Sequence, residues 1–198
     1  MPDDVARLVV GTAPLGLAYG IGRDGRPPEL LPEARAVAVM RHALSLGVRV
    51  FDTAPAYGVA EQRVGLALAD VDAEVWTKAG HGVTEGTELA GYVLPRLEAS
   101  LAALGRSRVA LLQWHNWTAA LARDDAFLAL WRGLAADARV GALGATTYGP
   151  DDALAAVESG LFSLVQMEWN VLNQATLLRI GQRARARGVR VALRSVLL

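Results

Sequence analysis

The chain has 198 residues, with 20 basic and 20 acidic side chains, no cysteine and 53% apolar residues. This length and apolar content suffice for a packed core, and the balanced charge argues against a protein that coats nucleic acid or an anionic membrane. Without cysteine, disulfide scaffolds, thiol catalysis and thiolate metal sites are excluded. Of the 20 basic residues, 19 are Arg and only Lys78 is lysine, which draws attention to its position.

No targeting segment stands out. The N-terminus carries Asp3 and Asp4 instead of a basic region, so a secretory signal is not expected. The apolar stretch 8–22 is interrupted by Pro14 and by glycines, and it is too short to span a bilayer. We therefore expect a cytoplasmic protein that binds neither membrane nor nucleic acid.

Short runs rich in β-branched residues alternate with helical patterns along the whole chain. Seven strands are predicted, at 8–11, 48–52, 74–78, 109–115, 140–146, 164–168 and 189–193. Between them, apolar residues recur at helical spacing in six segments, marked by Val37 to Leu44, Val64 to Leu68, Leu94 to Leu104, Leu128 to Leu134, a start capped by Asp151-Asp152, and Gln174 to Arg187.

This alternation predicts an α/β fold of parallel strands joined by right-handed crossovers. An open dinucleotide-binding sheet should show G-x-G-x-x-G after its first strand, and the segment from Gly16 to Gly20 lacks that spacing. The alternative is a (β/α)8 barrel of the TIM type, a single domain over 1–198. Such a barrel usually has eight strands and about 250 residues, so the chain is expected to be truncated after strand seven.

Polar residues follow three of the predicted strands. Asp52 ends the second strand, Tyr57 lies in the next loop, Lys78 ends the third and His115 ends the fourth. Each has an ordinary explanation alone, such as a turn cap or a surface tyrosine, but in a barrel these strand ends meet at one mouth. Lysine is the least expected of the four after an apolar strand unless an anion is near.

The chemistry of this set suits proton transfer to an oxygen. Tyrosine has a reference pKa of about 10, and a nearby ammonium favours its ionised form. Asp52 could orient the ammonium of Lys78, and His115 could position a carbonyl oxygen or relay the proton. None of the four is an activated nucleophile, so acyl transfer is not indicated. A hydride donor would have to come from a cofactor.

These residues stand in motifs that resemble the aldo-keto reductase family. The segment GVRVFDTA at 47–54, followed by Tyr57-Gly58, Glu61 and Val64-Gly65, is similar to the family signature. WTK at 76–78 resembles its lysine strand, LLQWHN at 111–116 its histidine strand, and GTAPLG at 11–16 its first strand and loop. The order and spacing of four motifs make the resemblance specific.

The resemblance implies an NADPH-dependent oxidoreductase that reduces an aldehyde or ketone, with Tyr57 as general acid and Asp52, Lys78 and His115 completing the catalytic set. It also implies cofactor-binding residues and no metal site. Thr146 and Thr147 replace the family's Ser-Asn pair, Gln166 keeps its glutamine, and Arg194 replaces an aromatic residue. The predicted cofactor-binding residues are Thr12, Asp52, Thr146, Thr147, Gln166, Arg194 and Ser195.

Alternatives remain open because the family binds much of its cofactor after strand seven. The chain is either an incomplete reductase, a nicotinamide-independent lyase or isomerase that uses the same four residues, or a non-catalytic binding protein. Its two edge strands would need cover from a homo-oligomer or a partner. The expected substrate is a small-molecule carbonyl, with a sugar or another polar carbonyl suggested by the short loop after His115. Trp114, Trp117 and Trp169 are candidates for an apolar substrate wall.

Overall fold

The structure is a computed structural model of the chain that describes residues 5–20, 25–26 and 28–197. The acidic pair Asp3-Asp4 lies outside the described residues. Two compact units are present: the first is Met1–Lys78 with Leu94–Ala110, and the second is Ala79–Val93 with Leu111–Leu198. The prediction of one domain over 1–198 stays a prediction.

Seven β-strands and seven α-helices alternate through the described residues. The strands are β1 (Val9–Gly11), β2 (Val50–Asp52), β3 (Glu74–Ala79), β4 (Leu111–Trp114), β5 (Leu143–Thr147), β6 (Leu164–Glu168) and β7 (Arg190–Arg194). The helices are α1 (Ala13–Gly16), α2 (Glu33–Ser45), α3 (Ala60–Ala67), α4 (Leu89–Leu104), α5 (Asp125–Ala135), α6 (Pro150–Glu158) and α7 (Ala175–Ala186). Two 3-10 turns, Val5–Arg7 and Ala119–Arg123, complete the set.

In the first unit, β1, β2 and β3 are parallel; β2 contains Asp52 and β3 contains Lys78. β1 pairs with β2 through Gly11 opposite Asp52, and β2 pairs with β3 through Asp52 opposite Trp76. Met40 of α2, Phe51 of β2 and Val64 of α3 are fully buried. The apolar residues therefore form the core between strands and helices. β2 ends at Asp52, opposite Trp76, and β3 continues to Ala79.

In the second unit, β4, β5, β6 and β7 form a continuous parallel set. Thr146 lies opposite Gln166, and Gln166 lies opposite Ala192. Five aromatic rings pack beside these strands with neighbouring centroids 4.8 to 5.9 Å apart. They are Trp114, Trp117, Phe127, Trp131 and Phe162. Trp114 and Trp117 are thus core residues, and their predicted place in a substrate wall is wrong because both indoles are buried in this cluster.

The seven predicted strands and the six predicted helices all occur in the predicted order, and they differ from the structure mainly at their ends. The third strand extends one residue further to Ala79, and the fifth is shifted to Leu143–Thr147. The short helix Ala13–Gly16 was not predicted. Capping of the fifth predicted helix by its acidic pair is wrong: Gly149 is the N-cap of α6, and Asp151 and Asp152 lie in its first turn. There, their negative charges interact favourably with the helix dipole.

Two of the three arginines of α7 have acidic partners in α6. Arg179 pairs with Asp151 at 2.7 Å, and Arg183 pairs with Glu158. Both arginines therefore lie on the solvated side of α7. None of the described helices is both long and apolar enough to cross a lipid bilayer.

The buried face of α5 predicts a large contribution to stability. Leu134 is 1% exposed, whereas Leu178 of α7 is 79% exposed. Leu134→Ala should lower the free energy of unfolding by about 2–5 kcal/mol, because it leaves a cavity in a packed core. The matched control Leu178→Ala should change it by less than about 0.5 kcal/mol. Urea unfolding of both variants tests this, and equal effects would contradict the described packing.

Candidate active site

A buried ion pair lies at the ends of β2 and β3. The Lys78 ammonium donates to Asp52 Oδ2 at 2.6 Å and to the backbone carbonyl of Thr53 at 2.9 Å. Lys78 is 2% exposed and Asp52 6%. Because a buried charge is costly without a partner, the carboxylate and the carbonyl are what allow this lysine to be buried in its charged form.

The ring of Tyr57 lies beside this ammonium. Lys78 Nζ is 5.0 Å from the ring centroid, and Tyr57 is partly exposed. The loop that carries Tyr57 packs closely on α1. A Cβ at Gly16 would lie 2.1 Å from the Tyr57 carbonyl oxygen, and Gly58 has φ +61°, which disfavours other residues. The two glycines therefore allow the tyrosine loop its close approach to α1.

Thr12 joins the end of β1 to the end of β2. Its hydroxyl and its backbone N–H both donate to the Asp52 carbonyl oxygen at 3.0 Å. Thr12 is fully buried. The residue therefore holds the backbone of Asp52 in place, and its predicted part in cofactor binding stays a prediction.

Glu61, in the first turn of α3, is a buried carboxylate that links three elements of the first unit. It accepts hydrogen bonds from Thr77 Oγ1 of β3 at 2.6 Å and from Ser100 Oγ of α4 at 3.1 Å. Burial raises the pKa of Glu61, and the two hydrogen bonds and the charge of Lys78 oppose the shift. Sequence reasoning found Glu61 only as a motif position and missed this bracing of the lysine strand.

His115 follows β4 in the second unit. It is buried, its backbone N–H donates to the Ala79 carbonyl at 2.8 Å, and its ring centroid lies 5.1 Å from that of His81. His81 is exposed. Gly80, which directly precedes His81, has φ +84°, and a Cβ there would lie 2.6 Å from the Trp114 indole. This turn therefore requires glycine both for its backbone and for its contact with the indole.

Polar side chains form a row on one face of β5 and β6. Thr146 and Gln166 are paired in register, so the pleat directs them to the same side of the sheet. Both are buried, and Thr146 Oγ1 has no hydrogen-bond partner among the described residues. The next residue, Thr147, also has a buried and unpartnered hydroxyl, but strand alternation directs it to the opposite face.

Arg194 ends β7 and reaches back over the end of β6. Its Nη2 is 3.4 Å from the Thr147 carbonyl oxygen, and its guanidinium carbon lies 4.4 Å from the ring centroid of Tyr148. Ser195 follows with φ 56°, which is uncommon for a residue other than glycine, and is exposed. Tyr148 was not singled out from the sequence, although it stands directly after β5.

The structure thus brings together Asp52, Tyr57 and Lys78 in the first unit, with Thr12 behind Asp52. In the second unit it brings together Thr146 and Gln166, with Arg194 beyond the next strand. His115 follows β4, and its ring lies beside that of His81. Across the described ranges, no three His, Asp or Glu side chains are grouped so that they could hold a metal ion.

Comparisons with known sequences and structures identify the family of this chain. The sequence model of the aldo/keto reductase family matches residues 7–198. Among solved structures, a Pseudomonas aeruginosa protein assigned to the aldo-keto reductases is similar, with a TM-score of 0.78 and 23% identity over 94% of this chain. The holo form of an aldo-keto reductase from Bacillus halodurans gives a TM-score of 0.75 with 22% identity over 94% of this chain.

The glycerol dehydrogenase of Gluconobacter oxydans gives a TM-score of 0.72 with 25% identity over 94% of this chain. This chain spans 72%, 61% and 58% of the lengths of these three proteins, respectively. The chain defines a parallel (β/α) barrel-type fold, and the predicted fold class is confirmed. The match over nearly all of its residues shows that the chain belongs to the aldo/keto reductase family.

A double-mutant cycle tests the buried ion pair of Lys78 and Asp52. Lys78→Met should lower the free energy of unfolding by about 3–5 kcal/mol, because Asp52 stays buried without its cation. Adding Asp52→Asn should recover part of that loss. Urea unfolding of the two single variants and the double variant measures the coupling.

A matched exposed pair serves as the control for this cycle. Arg41 and Asp70 are 3.1 Å apart, with side chains 48% and 69% exposed. Arg41→Met should cost no more than about 1 kcal/mol. If Lys78→Met were as mild as Arg41→Met, the buried ion pair described here would be wrong.

The raised pKa of Glu61 predicts that the stability of the chain depends on pH. Its pKa in the folded chain lies above the ordinary value of 4.5 for a glutamate, so the folded state holds this proton more tightly than the unfolded state. Its contribution to stability is therefore fully present below the unfolded pKa and is lost as pH rises through the folded pKa. Relative to Glu61→Gln, the wild type should lose stability as pH increases across this window. Denaturation series at several pH values test it, and a constant difference would contradict the pKa direction.

Proposed function

We propose that this chain carries the active site of an NADP(H)-dependent oxidoreductase that reduces an aldehyde or ketone to an alcohol. The observation that supports it best is the Lys78 ammonium, paired with Asp52 and 5.0 Å from the Tyr57 ring. The same residues stand in the motifs by which the sequence resembles the family, and the chain belongs to that family.

Tyr57 is the proposed proton donor. Its partly exposed ring gives the hydroxyl access to a ligand, and its loop is fixed against α1. The fixed positive charge of Lys78 would stabilise the negative charge that Tyr57 acquires when it gives up its proton. Asp52 and the Thr53 carbonyl hold the ammonium in place, so little reorganisation would be needed during proton transfer. The proposed role of His115 is a hydrogen bond to the carbonyl oxygen.

The polar row of the second unit fits the amide end of a nicotinamide cofactor. Thr146 has a buried hydroxyl without a partner, and Gln166 beside it carries both a donor and an acceptor. A carboxamide presents the complementary groups. NADPH, when bound, would supply the hydride that no side chain provides. Thr12, Asp52, Thr147, Arg194 and Ser195 remain proposed contacts of the same cofactor.

The proposed substrate is a small carbonyl compound, with a sugar or another polar carbonyl as the first class to try. A cytoplasmic location, and a homo-oligomer or a partner that covers the edge strands, belong to the same proposal. In the lyase or isomerase alternative, the four residues would move protons without a nicotinamide cofactor.

Replacing the hydroxyl of Tyr57 tests the proposal. Tyr57→Phe should lower the rate of carbonyl reduction by about 10²–10⁴-fold, as expected for loss of a general acid. Binding of NADPH, followed by calorimetry, should change little. The assay follows NADPH oxidation with a panel of aldehydes, ketones and sugars.

The control is Tyr19→Phe, which makes the same change at an exposed tyrosine outside the Lys78 cluster and should leave the rate unchanged. Full activity of Tyr57→Phe would reject Tyr57 as the acid. Proton exchange at a substrate carbon without NADPH would favour a lyase or isomerase instead of a reductase.

A further inference from the structure

A surface cavity of about 480 Å³ lies in the first unit, between the turns that follow α3 and α4. Residues between 65 and 71 form one wall, and residues 104–108 form the other. This volume falls within the range of about 300–1,000 Å³ that is typical of small-molecule pockets. None of the residues of the candidate active site is among the described residues that line it.

The cavity lies at the opposite end of β3 from Lys78. The turn that forms its first wall leads into β3, whose first residue is Glu74. Lys78 follows later in the same strand, about 13 Å further along an extended backbone. The cavity is therefore a place separate from the Lys78 ammonium, within the same unit.

Arg106 lines the cavity, and backbone carbonyls fix its guanidinium. The group donates to the carbonyl oxygens of Leu68, Val71 and Ala73 at 3.3, 3.2 and 3.1 Å, respectively. Leu68 is the C-cap of α3, so the guanidinium also offsets the partial negative charge of that helix end. Because a guanidinium carries five N–H donors, part of its edge stays free for a ligand. Carbonyl oxygens carry only partial charges, and the positive charge of Arg106 therefore remains available to an anion.

Two exposed polar side chains follow this guanidinium in the same wall. Ser107 and Arg108 both line the cavity, and neither side chain forms a hydrogen bond or ion pair within the described part of the chain. No Asp or Glu is among the described lining residues. Asp70, which stands between two of them in sequence, pairs with Arg41 at 3.1 Å. The cavity thus presents two guanidinium groups and a hydroxyl without a carboxylate to balance them, and such groups recognise phosphate.

Apolar side chains complete the lining. Leu68 and Leu104 are buried and form part of the cavity wall, together with Val71. A pocket that combines apolar lining with a few convergent polar groups suits a ligand with an organic part and a charged group. The leucines would contact the organic part, and the arginines would contact the charge.

We propose that this cavity binds a phosphate group, with Arg106 and Arg108 as its cations and Ser107 as a hydroxyl donor. The volume and the leucines favour a phosphate ester of a small organic molecule as the ligand. A free phosphate ion offers the same oxygens to the arginines, and the experiment distinguishes the two sources. The inference goes beyond the proposed function and does not rest on it.

Backbone amide spectra test the proposal at the residues concerned. The nitrogen-15-labelled chain is titrated separately with AMP, with inorganic phosphate and with adenosine, and the amide signals of residues 105–108 are followed. We expect saturable shifts of these signals with AMP and none with adenosine, which lacks the phosphate group. The amides of Thr146 and Gln166 report separately on the proposed cofactor site.

Two matched variants separate the cavity from general charge. Arg108→Met should lower the affinity for AMP by about tenfold or more, because it removes a cation that would contact the phosphate. Arg35→Met removes an exposed arginine of α2 outside the cavity and should leave the affinity unchanged. Neither arginine has a side-chain partner among the described residues, so both variants should fold like the wild type, and thermal unfolding checks this.

The outcomes separate the sources of the phosphate. Tighter binding of AMP than of inorganic phosphate supports a phosphate ester, and equal or tighter binding of inorganic phosphate supports the free ion. Either result supports the proposal whether or not the chain reduces carbonyls. Equal responses to AMP and adenosine, equal losses of affinity in Arg108→Met and Arg35→Met, or no shift at 105–108 with any probe would overturn it.

Discussion

The ion pair of Lys78 and Asp52 is the constraint on which the rest of the first unit depends. Replacing a buried ion pair with apolar residues of similar volume often leaves a protein as stable or makes it more stable. This pair is therefore better explained by what a fixed positive charge does than by its contribution to folding. Thr12 holds the backbone of Asp52, Thr53 supplies a second acceptor, and Glu61 braces the strand that carries Lys78.

The second unit has a different electrostatic character. Its strands carry neutral polar groups, Thr146 and Gln166, and at their end a single guanidinium fixed on an aromatic ring. Neutral donors and acceptors suit an amide, whereas the guanidinium suits an anion. A ligand with both features would satisfy buried groups that the described residues leave unpaired, and a nicotinamide dinucleotide has both.

Much of the fold and of the candidate site could be predicted from sequence, because both periodicity and motif spacing are local signals. β6 has the predicted bounds, Asp52 ends β2 as expected, and Lys78 is the last residue but one of β3. Side-chain contacts across elements could not be predicted: the burial of Trp114 depends on a cluster drawn from β4, α5 and their loops. The stacking of Arg194 on Tyr148 likewise depends on how a long side chain crosses a neighbouring strand. The capping of α6 by Gly149 was missed because Asp151 and Asp152 carry the stronger local signal.

The central claim is that this chain binds a nicotinamide cofactor. Calorimetric titration of the folded wild-type chain with NADPH tests it most directly. The account predicts saturable binding with one site per chain and a dissociation constant in the micromolar range or below, equivalent to about 8 kcal/mol or more of binding free energy. A chain that unfolds cooperatively, and is therefore folded, but binds no NADPH would contradict the account.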